Sequence, residues 1–286
     1  MPRLKILLTV TTYPLPSRSY DELVCTAGVL EDGSWIRIYP VPLSFLMDLK
    51  QSGKMKTMKY TWIELDLNKR IDDFRPESHS PKYYDFRDIL IHEPRLNTNG
   101  NWLKRKEYCL KNVYTSFENL IEDSRAPKNM SLATFKPAAI TGFEWEEDER
   151  EWKDEWVEIR KQIDLFDDGK IDPQKMIPKV PYKFFYKFTD LTGKMRRLMI
   201  EDWEIGQLYW NCLRDAKKMK TSDGADQETI ALQKVKERYF NDFATNNDIH
   251  LFVGTTKEWH VRRALNPFVI IGVFYPMKEI QGRLFE

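Results

Sequence analysis

Three residues near the amino end place an indole, a guanidinium and a phenol on one side of a strand. Trp35, Arg37 and Tyr39 alternate with Ile36 and Ile38, and successive side chains of a strand point to opposite faces. An arginine is costly to bury without a partner, whereas aromatic rings and guanidinium groups stack on bases. The alternation therefore predicts an exposed face that contacts nucleic acid through Trp35, Arg37 and Tyr39.

Lysines concentrate in a segment that the sequence places on the loop before the next strand. Four of them fall within ten residues that contain no acid. Lysine side chains neutralise backbone phosphates, which supplies most of the affinity for nucleic acid. A solvated loop surface is the equally open alternative. The predicted phosphate contacts are Lys50, Lys54, Lys56 and Lys59.

A later strand separates rings from lysines in the same way. Residues 182–188 place four rings on one face and Lys183, Phe185 and Lys187 on the other. The four rings are typical of a core-facing strand. Lys183 and Lys187 are then either additional contacts for nucleic acid or the charges that keep the outer face soluble.

Acidic residues are concentrated in one segment. Residues 144–158 hold nine acids and two bases, so the rest of the chain carries a net charge of +8. The spacing of Trp152 and Trp156 predicts an amphipathic helix over residues 146–163 that packs on a barrel. The alternative is a surface for a protein partner, or an autoinhibitory helix that covers the basic residues.

Catalytic signatures are absent from the sequence. It contains neither GxGxxG nor GxxxxGK[ST], and its four histidines lack HExxH spacing. The open alternative is a metal-dependent enzyme acting on nucleic acid or nucleotides, in which Glu64, Asp66 and Asp72 gather a divalent cation. Apart from that alternative, we predict no catalytic residue, no cofactor and no metal site.

Length and composition describe the protein that must position these residues. The chain has 286 residues, a net charge of +1 and 42% hydrophobic residues, values typical of a globular protein with one or two domains. No apolar run approaches the length that crosses a bilayer. Three scattered cysteines favour a reducing cytoplasm over a disulfide framework. We therefore expect a cytoplasmic protein without a membrane partner.

Short strands of irregular spacing, interrupted by helical patterns, predict an α+β fold. The strand patterns in the first hundred residues, including 4–12, 35–41 and 60–67, suit a small β-barrel. We assign residues 1–125 to an N-terminal barrel with a trailing helix. Residues 126–286 are assigned to a second barrel-like domain with helical insertions.

One part of the sequence resembles a known family. The segments Cys25-Thr-Ala-Gly28, Asp32-Gly33 and Trp35-Ile-Arg37 are similar to the strand–turn–strand signature of the prokaryotic dual OB-fold domain family, over about residues 5–42. The resemblance implies two OB-like barrels that bind DNA or RNA. It also implies an accessory or sensor role in bacterial defence or mobile-element systems, with Arg18, Trp35 and Arg37 as surface positions.

Overall fold

Two β-sheets of seven strands each organise the chain in the computed structural model. The structure describes residues 3–12, 15–16, 22–42, 45–46, 49, 53, 57–154, 177–218 and 226–278. The first sheet contains β1 (Arg3–Thr11), β2 (Leu15–Pro16), β3 (Glu22–Val29), β4 (Trp35–Pro42), β5 (Trp62–Lys69), β6 (Ser78–Pro81) and β7 (Leu90–His92).

Five strands of the first sheet close into a barrel. β1 pairs antiparallel with both β3 and β5, β3 pairs with β4, and β5 pairs with β6. A parallel pairing of β4 with β6 completes the ring. At Gly28 of β3, a Cβ atom would lie 2.3 Å from the carbonyl oxygen of Leu7, so the close approach of β1 and β3 requires glycine at this position.

One face of β5 lines the interior of the barrel. Ile63, Leu65 and Leu67 are at most 3% exposed inside the barrel. On the opposite face, Tyr60 and Trp62 are also buried, because they pack in an apolar cluster with Phe252 and Phe274 of the second unit. Burial on both faces explains why this strand carries rings where an exposed strand would carry polar residues.

The second sheet follows the order β10-β11-β12-β14-β13-β9-β8. It pairs antiparallel except at β12–β14 and β8–β9, which are parallel. Its strands are β8 (Val113–Tyr114), β9 (Leu132–Phe135), β10 (Ala139–Glu147), β11 (Tyr182–Thr189), β12 (Met195–Ile200), β13 (His250–Thr255) and β14 (Phe268–Phe274).

Helices cover the second sheet, so the mixed α+β class is confirmed. The rings at Phe184, Tyr186 and Phe188 of β11 are at most 2% exposed and form a core with helix residues such as Tyr209 and Phe243. The helices are α1 (Leu103–Cys109), α2 (Phe117–Asp123), α3 (Trp203–Lys218), α4 (Gln227–Lys236), a π-helix (Glu237–Thr245) and α5 (Lys257–Val261).

The predicted acidic helix over residues 146–163 is wrong at its start. Residues 146 and 147 belong to β10, which pairs with β11 along its length, and residues 155–163 lie outside the described part. At residues 146 and 147, pairing with the ring-rich β11 takes the place of the predicted first turn of the helix.

The acids of this segment neutralise cations of their own sheet, which argues against the predicted protein-partner surface. Glu144 pairs with Lys187 and with Arg197. Asp148 pairs with Lys183 at 3.1 Å. These carboxylates therefore stabilise the outer face of β10–β12.

The strands divide between the two units without exchange. Every strand up to β7 belongs to the first sheet, and every strand from β8 onward belongs to the second. The boundary at residues 125 and 126 stays a prediction. Among the described helices, none is long and apolar enough to cross a membrane.

Candidate functional site

The outward face of β4 lies against the second unit. Ile36 and Ile38 point into the barrel, as their alternation predicts. On the other face the Trp35 ring meets the Phe252 ring edge-on, with centroids 5.0 Å apart, and Arg37 is only 5% exposed. The predicted exposed stacking face is therefore wrong for Arg37, and Trp35 packs against protein.

Arg37 is buried because the second unit supplies hydrogen-bond acceptors. Its Nη1 donates to Ser131 Oγ at 2.8 Å and to Ser78 Oγ at 3.3 Å. Its Nη2 donates to the carbonyl oxygens of Ser131 and Thr255. Burial, with the nearby charge of Arg75, lowers the pKa of Arg37 to about 10, so the group stays charged at neutral pH.

Acidic groups complete this contact between the units. Glu77 accepts hydrogen bonds from Ser131 N at 2.8 Å and from Ser131 Oγ at 2.7 Å. Arg75 pairs with Asp73 at 2.6 Å and donates to the Thr255 carbonyl at 2.8 Å. Charge-assisted hydrogen bonds of this kind fix geometry as well as adding stability. We call this set the polar junction: Arg37, Asp73, Arg75, Glu77, Ser131 and Thr255.

The predicted phosphate-binding lysines divide into two groups. Lys50, Lys54 and Lys56, together with Arg18, lie outside the described residues, and their roles stay predictions. Lys59 is described, and its Nζ lies 2.6 Å from Glu204 Oε2 and 3.5 Å from Asp202 Oδ1.

Lys59 is therefore a link to the start of α3 and not a free cation, which corrects its prediction as a phosphate contact. Its side chain is only 17% exposed. Burial lowers the pKa of Lys59, but the carboxylates of Asp202 and Glu204 outweigh burial and raise it. The ion pair holds the charge inside the interface between the units.

Lys183 and Lys187 keep the outward orientation that the sequence predicts, but each has an acidic partner. Lys183 pairs with Asp148 at 3.1 Å and Lys187 with Glu144 at 2.5 Å. Between them, Phe185 is covered by the Arg197 guanidinium, 3.4 Å from its ring centroid. This face of β11 is neutralised, and its ring is not open for stacking.

The carboxylates of the metal-enzyme alternative pair with cations instead of with one another. Glu64 and Asp66 both contact Arg3, and Asp72 pairs with Arg70 at 2.5 Å. No group of three His, Cys, Asp or Glu side chains suited to a metal occurs among the residues that the structure describes.

Two loops, one from each unit, meet at the edge of the polar junction. The β5–β6 loop spans residues 70–77 and the β13–β14 loop spans residues 256–267. The Phe74 ring lies edge-on to the His260 ring at 4.8 Å between centroids. Lys257 Nζ donates to the carbonyl oxygen of Asp72 at 2.8 Å. Loop residues are thus held side by side by contacts between the units.

His260 fixes the β13–β14 loop in place. It is 8% exposed, with Nδ1 2.9 Å from Thr255 Oγ1 and Nε2 2.5 Å from the carbonyl oxygen of Ser124. Burial lowers the pKa of His260, against the raising effect of the Ser124 bond. The neutral ring therefore donates from Nε2 and accepts at Nδ1, which ties the loop to the turn after α2.

The paired loops and that turn enclose a groove with a volume of about 520 Å³, which we call the loop groove. Its lining includes Phe74, Arg125, His260 and Arg263. Phe74 is 45% exposed, and the neighbouring Trp259 is 49% exposed. Both rings are accessible, unlike Trp35 and Phe185.

Cations around the loop groove lack acidic partners. Arg125 and Arg263 line the groove and are exposed, and in the described part of the chain neither forms an ion pair. Arg262, in contrast, pairs with Glu258 at 2.8 Å. Two unpaired arginines beside the open Phe74 ring are a suitable surface for a polyanion with planar groups.

A second cavity of about 330 Å³ lies between the two units on the other side of the loop contact, and we call it the interbarrel cleft. Tyr39 and Arg70 line it from the first unit, and Glu201 and Lys257 line it from the second. The Arg70 guanidinium lies 5.4 Å from the centroid of the Tyr39 ring. Of the predicted stacking residues, Tyr39 is thus the one that faces a cavity.

Sequence reasoning missed the loop groove. The available signal was the segment Lys257-Glu-Trp259-His-Val-Arg262-Arg263, which places three cations and an indole between two strand patterns. Residues 50–59, to which we assigned the phosphate contacts, are basic but contain no aromatic residue. Arg125 carried no local signal, because only the fold brings it to the groove.

Comparisons with known proteins give a family but no activity. Residues 2–111 match the family model of a domain of unknown function, DUF8758, and residues 113–286 match that of a second domain of unknown function, DUF8757. No curated protein matches the chain.

Among solved structures, the chain is similar to a murine DNA-binding protein described as bound with double-stranded DNA. The similarity has a TM-score of 0.30 and 7% sequence identity, and it covers 100% of both chains. The match over more than half of its length shows that the chain belongs to the DUF8757 family.

Proposed function

We propose that this protein binds nucleic acid in the loop groove, between two barrels of the OB type. An OB-fold is a five-stranded Greek-key barrel. Without the short β2, the first barrel has the closed order β1-β3-β4-β6-β5, with its third and fifth strands parallel. This order supports the OB-like assignment of the first unit.

The second sheet supports the same assignment if β9 and β10 count as one bent strand. They are separated by Lys136, Pro137 and Ala138, and proline interrupts a strand because it cannot donate to the ladder. β9 pairs with β13, and β10 pairs with β11. The order is then the same as in the first barrel, with the parallel pair at β12–β14.

In that interpretation the two loops of the groove are equivalent. The β5–β6 loop and the β13–β14 loop each connect the fourth and fifth strands of their barrels. OB-folds bind oligonucleotides through the loop at this position, together with the loop after the first strand. The two loops lie side by side here, so one strand of nucleic acid can contact both.

The observation that carries the proposal is the charge of the groove. Arg125 and Arg263 line the groove and form no ion pair with a described residue, whereas Arg75 of the polar junction and the lysines of β11 are paired. Phosphates would neutralise these cations, and bases would stack on Phe74 and Trp259 at about 1–3 kcal/mol each. The resemblance to the prokaryotic dual OB-fold family extends the proposal to a cytoplasmic role in defence or mobile-element systems.

The proposal is tested by titrating fluorescent single- and double-stranded DNA and RNA oligonucleotides against the protein at several salt concentrations. The double variant Arg125→Ala/Arg263→Ala is compared with the wild type. Each lost phosphate contact is expected to lower the slope of log affinity against log salt by about one, so the double variant should lose about two.

Arg214→Ala is the matched control, because Arg214 is an exposed arginine on α3 whose nearest acid is 4.0 Å away. It is expected to leave both the affinity and the slope unchanged. The proposal is wrong if the wild type binds none of the four kinds of oligonucleotide, or if the double variant and Arg214→Ala have equal slopes.

A further inference from the structure

The interbarrel cleft has the composition of a ligand site and not of a packing defect. Its floor is apolar, with Val10, Leu132 and Ile271, and its walls carry polar groups from both units. The volume of about 330 Å³ falls within the range of small-molecule sites, about 300–1,000 Å³. An apolar floor with a few polar groups is the usual construction of such sites.

One carboxyl in the cleft has no partner in the described part of the chain. Glu201, which lines the cleft, has neither an ion pair nor a side-chain hydrogen bond to any described residue, and burial raises the pKa of its carboxyl. Buried polar groups are almost always hydrogen-bonded, so an unpartnered one indicates a missing group.

A stacking wall stands beside this carboxyl. The Tyr39 ring and the Arg70 guanidinium both line the cleft, and they lie 5.4 Å apart. Aromatic rings and guanidinium planes are the surfaces on which unstacked bases are held. Arg70 is itself fixed by a two-point contact with Asp72, so the wall is preorganised.

We propose that the interbarrel cleft holds one unstacked nucleobase, with Tyr39 and Arg70 as its stacking wall and with Glu201 hydrogen-bonding to its edge. A carboxylate accepts from the exocyclic amine of a base. The base therefore carries an exocyclic amine on its edge, as guanine, cytosine and adenine do.

This inference rests on the proposed function, because a bound strand would deliver the base. The cleft and the loop groove share the two loops: Arg70 and Lys257 line the cleft, while Phe74 and His260 line the groove. The Lys257–Asp72 contact lies where the loops meet. A strand whose phosphates follow the groove cations can therefore turn one base into the cleft.

The test compares single-stranded homo-oligomers of the four bases, equal in length, against the wild type and against Glu201→Gln. The wild type is expected to distinguish the best from the worst base by about tenfold. The variant should reduce that difference to within about twofold while the salt slope stays at the wild-type value.

Glu201→Gln keeps the shape of the side chain and changes a group that has no protein partner among the described residues, so its thermal unfolding temperature should not fall below that of the wild type. Glu122→Gln, at an exposed position on α2, is the control for Glu201→Gln. It should keep the wild-type preference among the bases.

The outcomes separate this inference from the proposed function. Oligonucleotide binding with a normal salt slope, and a base preference that Glu201→Gln retains, overturns the base pocket and leaves the groove intact. Absence of all oligonucleotide binding overturns both. Nucleoside monophosphates are titrated separately: if they bind as tightly as the oligomers, and equally well to Arg125→Ala/Arg263→Ala, the cleft takes a free nucleotide and the strand-delivered base is wrong.

Discussion

The polar junction and the loop groove contain the same kind of side chain in opposite surroundings. In the junction, Arg37 and Arg75 are buried and every donor group faces a serine, a carbonyl or a carboxylate of the protein. In the groove, Arg125 and Arg263 are exposed and without an acidic partner among described residues. The residue type is the same in both places. In the junction the protein itself supplies the hydrogen-bond acceptors, whereas in the groove a binding partner must supply them.

This difference shows how a two-unit protein can use one set of arginines to hold its units together and another set to bind a ligand. Hydrogen bonds from Arg37 to Ser131 and Thr255 join the units and occupy both Nη groups of the guanidinium. That contact also brings the β5–β6 and β13–β14 loops together, since Thr255 directly precedes the second loop. The buried arginine therefore positions the exposed ones, and the two sets should respond to substitution in opposite ways.

The largest effect is expected for Arg37→Met. The substitution removes the guanidinium from four hydrogen bonds and takes a positive charge away from the carboxylates of Glu77 and Asp73, which should lower the free energy of unfolding by about 3–5 kcal/mol. Urea denaturation followed by tryptophan fluorescence measures the change.

Arg263→Met is the matched variant at the groove. An exposed side chain without partners should change the free energy of unfolding by no more than about 0.5 kcal/mol, while nucleic-acid affinity falls. If the two variants unfold at the same urea concentration as the wild type, the junction does not hold the units together and the contrast between the two sites is wrong.

A second prediction uses pH to separate buried from exposed ionisable groups. His250 is 6% exposed, and burial, with the charge of Lys136, lowers its pKa to about 4. Between about pH 6.5 and pH 4 the unfolded chain binds a proton that the folded chain does not, so stability falls as the pH falls. The loss reaches about 3 kcal/mol below pH 4.

Thermal or urea unfolding of His250→Gln between pH 4 and pH 7 checks this prediction. The variant should lose stability less steeply than the wild type as the pH falls across this window. Equal pH profiles for the wild type and His250→Gln would show that another group is responsible.

Much of the fold follows from local patterns in the sequence. The alternation in β4, β5 and β11 predicts which residues are buried, because period two is fixed by strand geometry. Ile36, Ile63 and Tyr186 are buried as that period requires. The pattern also fails in a consistent way: it marks one face as core and says nothing of whether the other face meets water or a second unit.

That failure explains the error at Arg37. An arginine between two rings stays exposed only where no acceptors cover it, but Arg37 is covered by Ser131, which lies 94 residues away in sequence, and by Thr255, which lies 218 residues away. Partners so distant leave no local signal. The predicted helix over residues 146–163 is wrong at its start for a related reason, because Glu146 and Glu147 pair with β11.

The candidate site was predictable only in part. Tyr39 faces the interbarrel cleft, and the segment from Lys257 to Arg263 had the composition of a binding loop. The convergence of Arg125 with Arg263 depends on the turn after α2 meeting the β13–β14 loop through His260 and Ser124. A contact of this kind is decided by tertiary structure.

The smallest predicted effect isolates stacking from charge. Trp259 is 49% exposed and directly precedes His260, which lines the groove, so it offers a ring without a charge. Trp259→Ala should therefore weaken single-stranded oligonucleotide binding by about 1–3 kcal/mol and leave the salt slope unchanged, because no phosphate contact is lost. Leu191→Ala, at an apolar side chain that is 69% exposed elsewhere, should change neither quantity. An unchanged affinity for Trp259→Ala, with a reduced slope for Arg125→Ala/Arg263→Ala, would mean that the groove contacts the strand through phosphates alone.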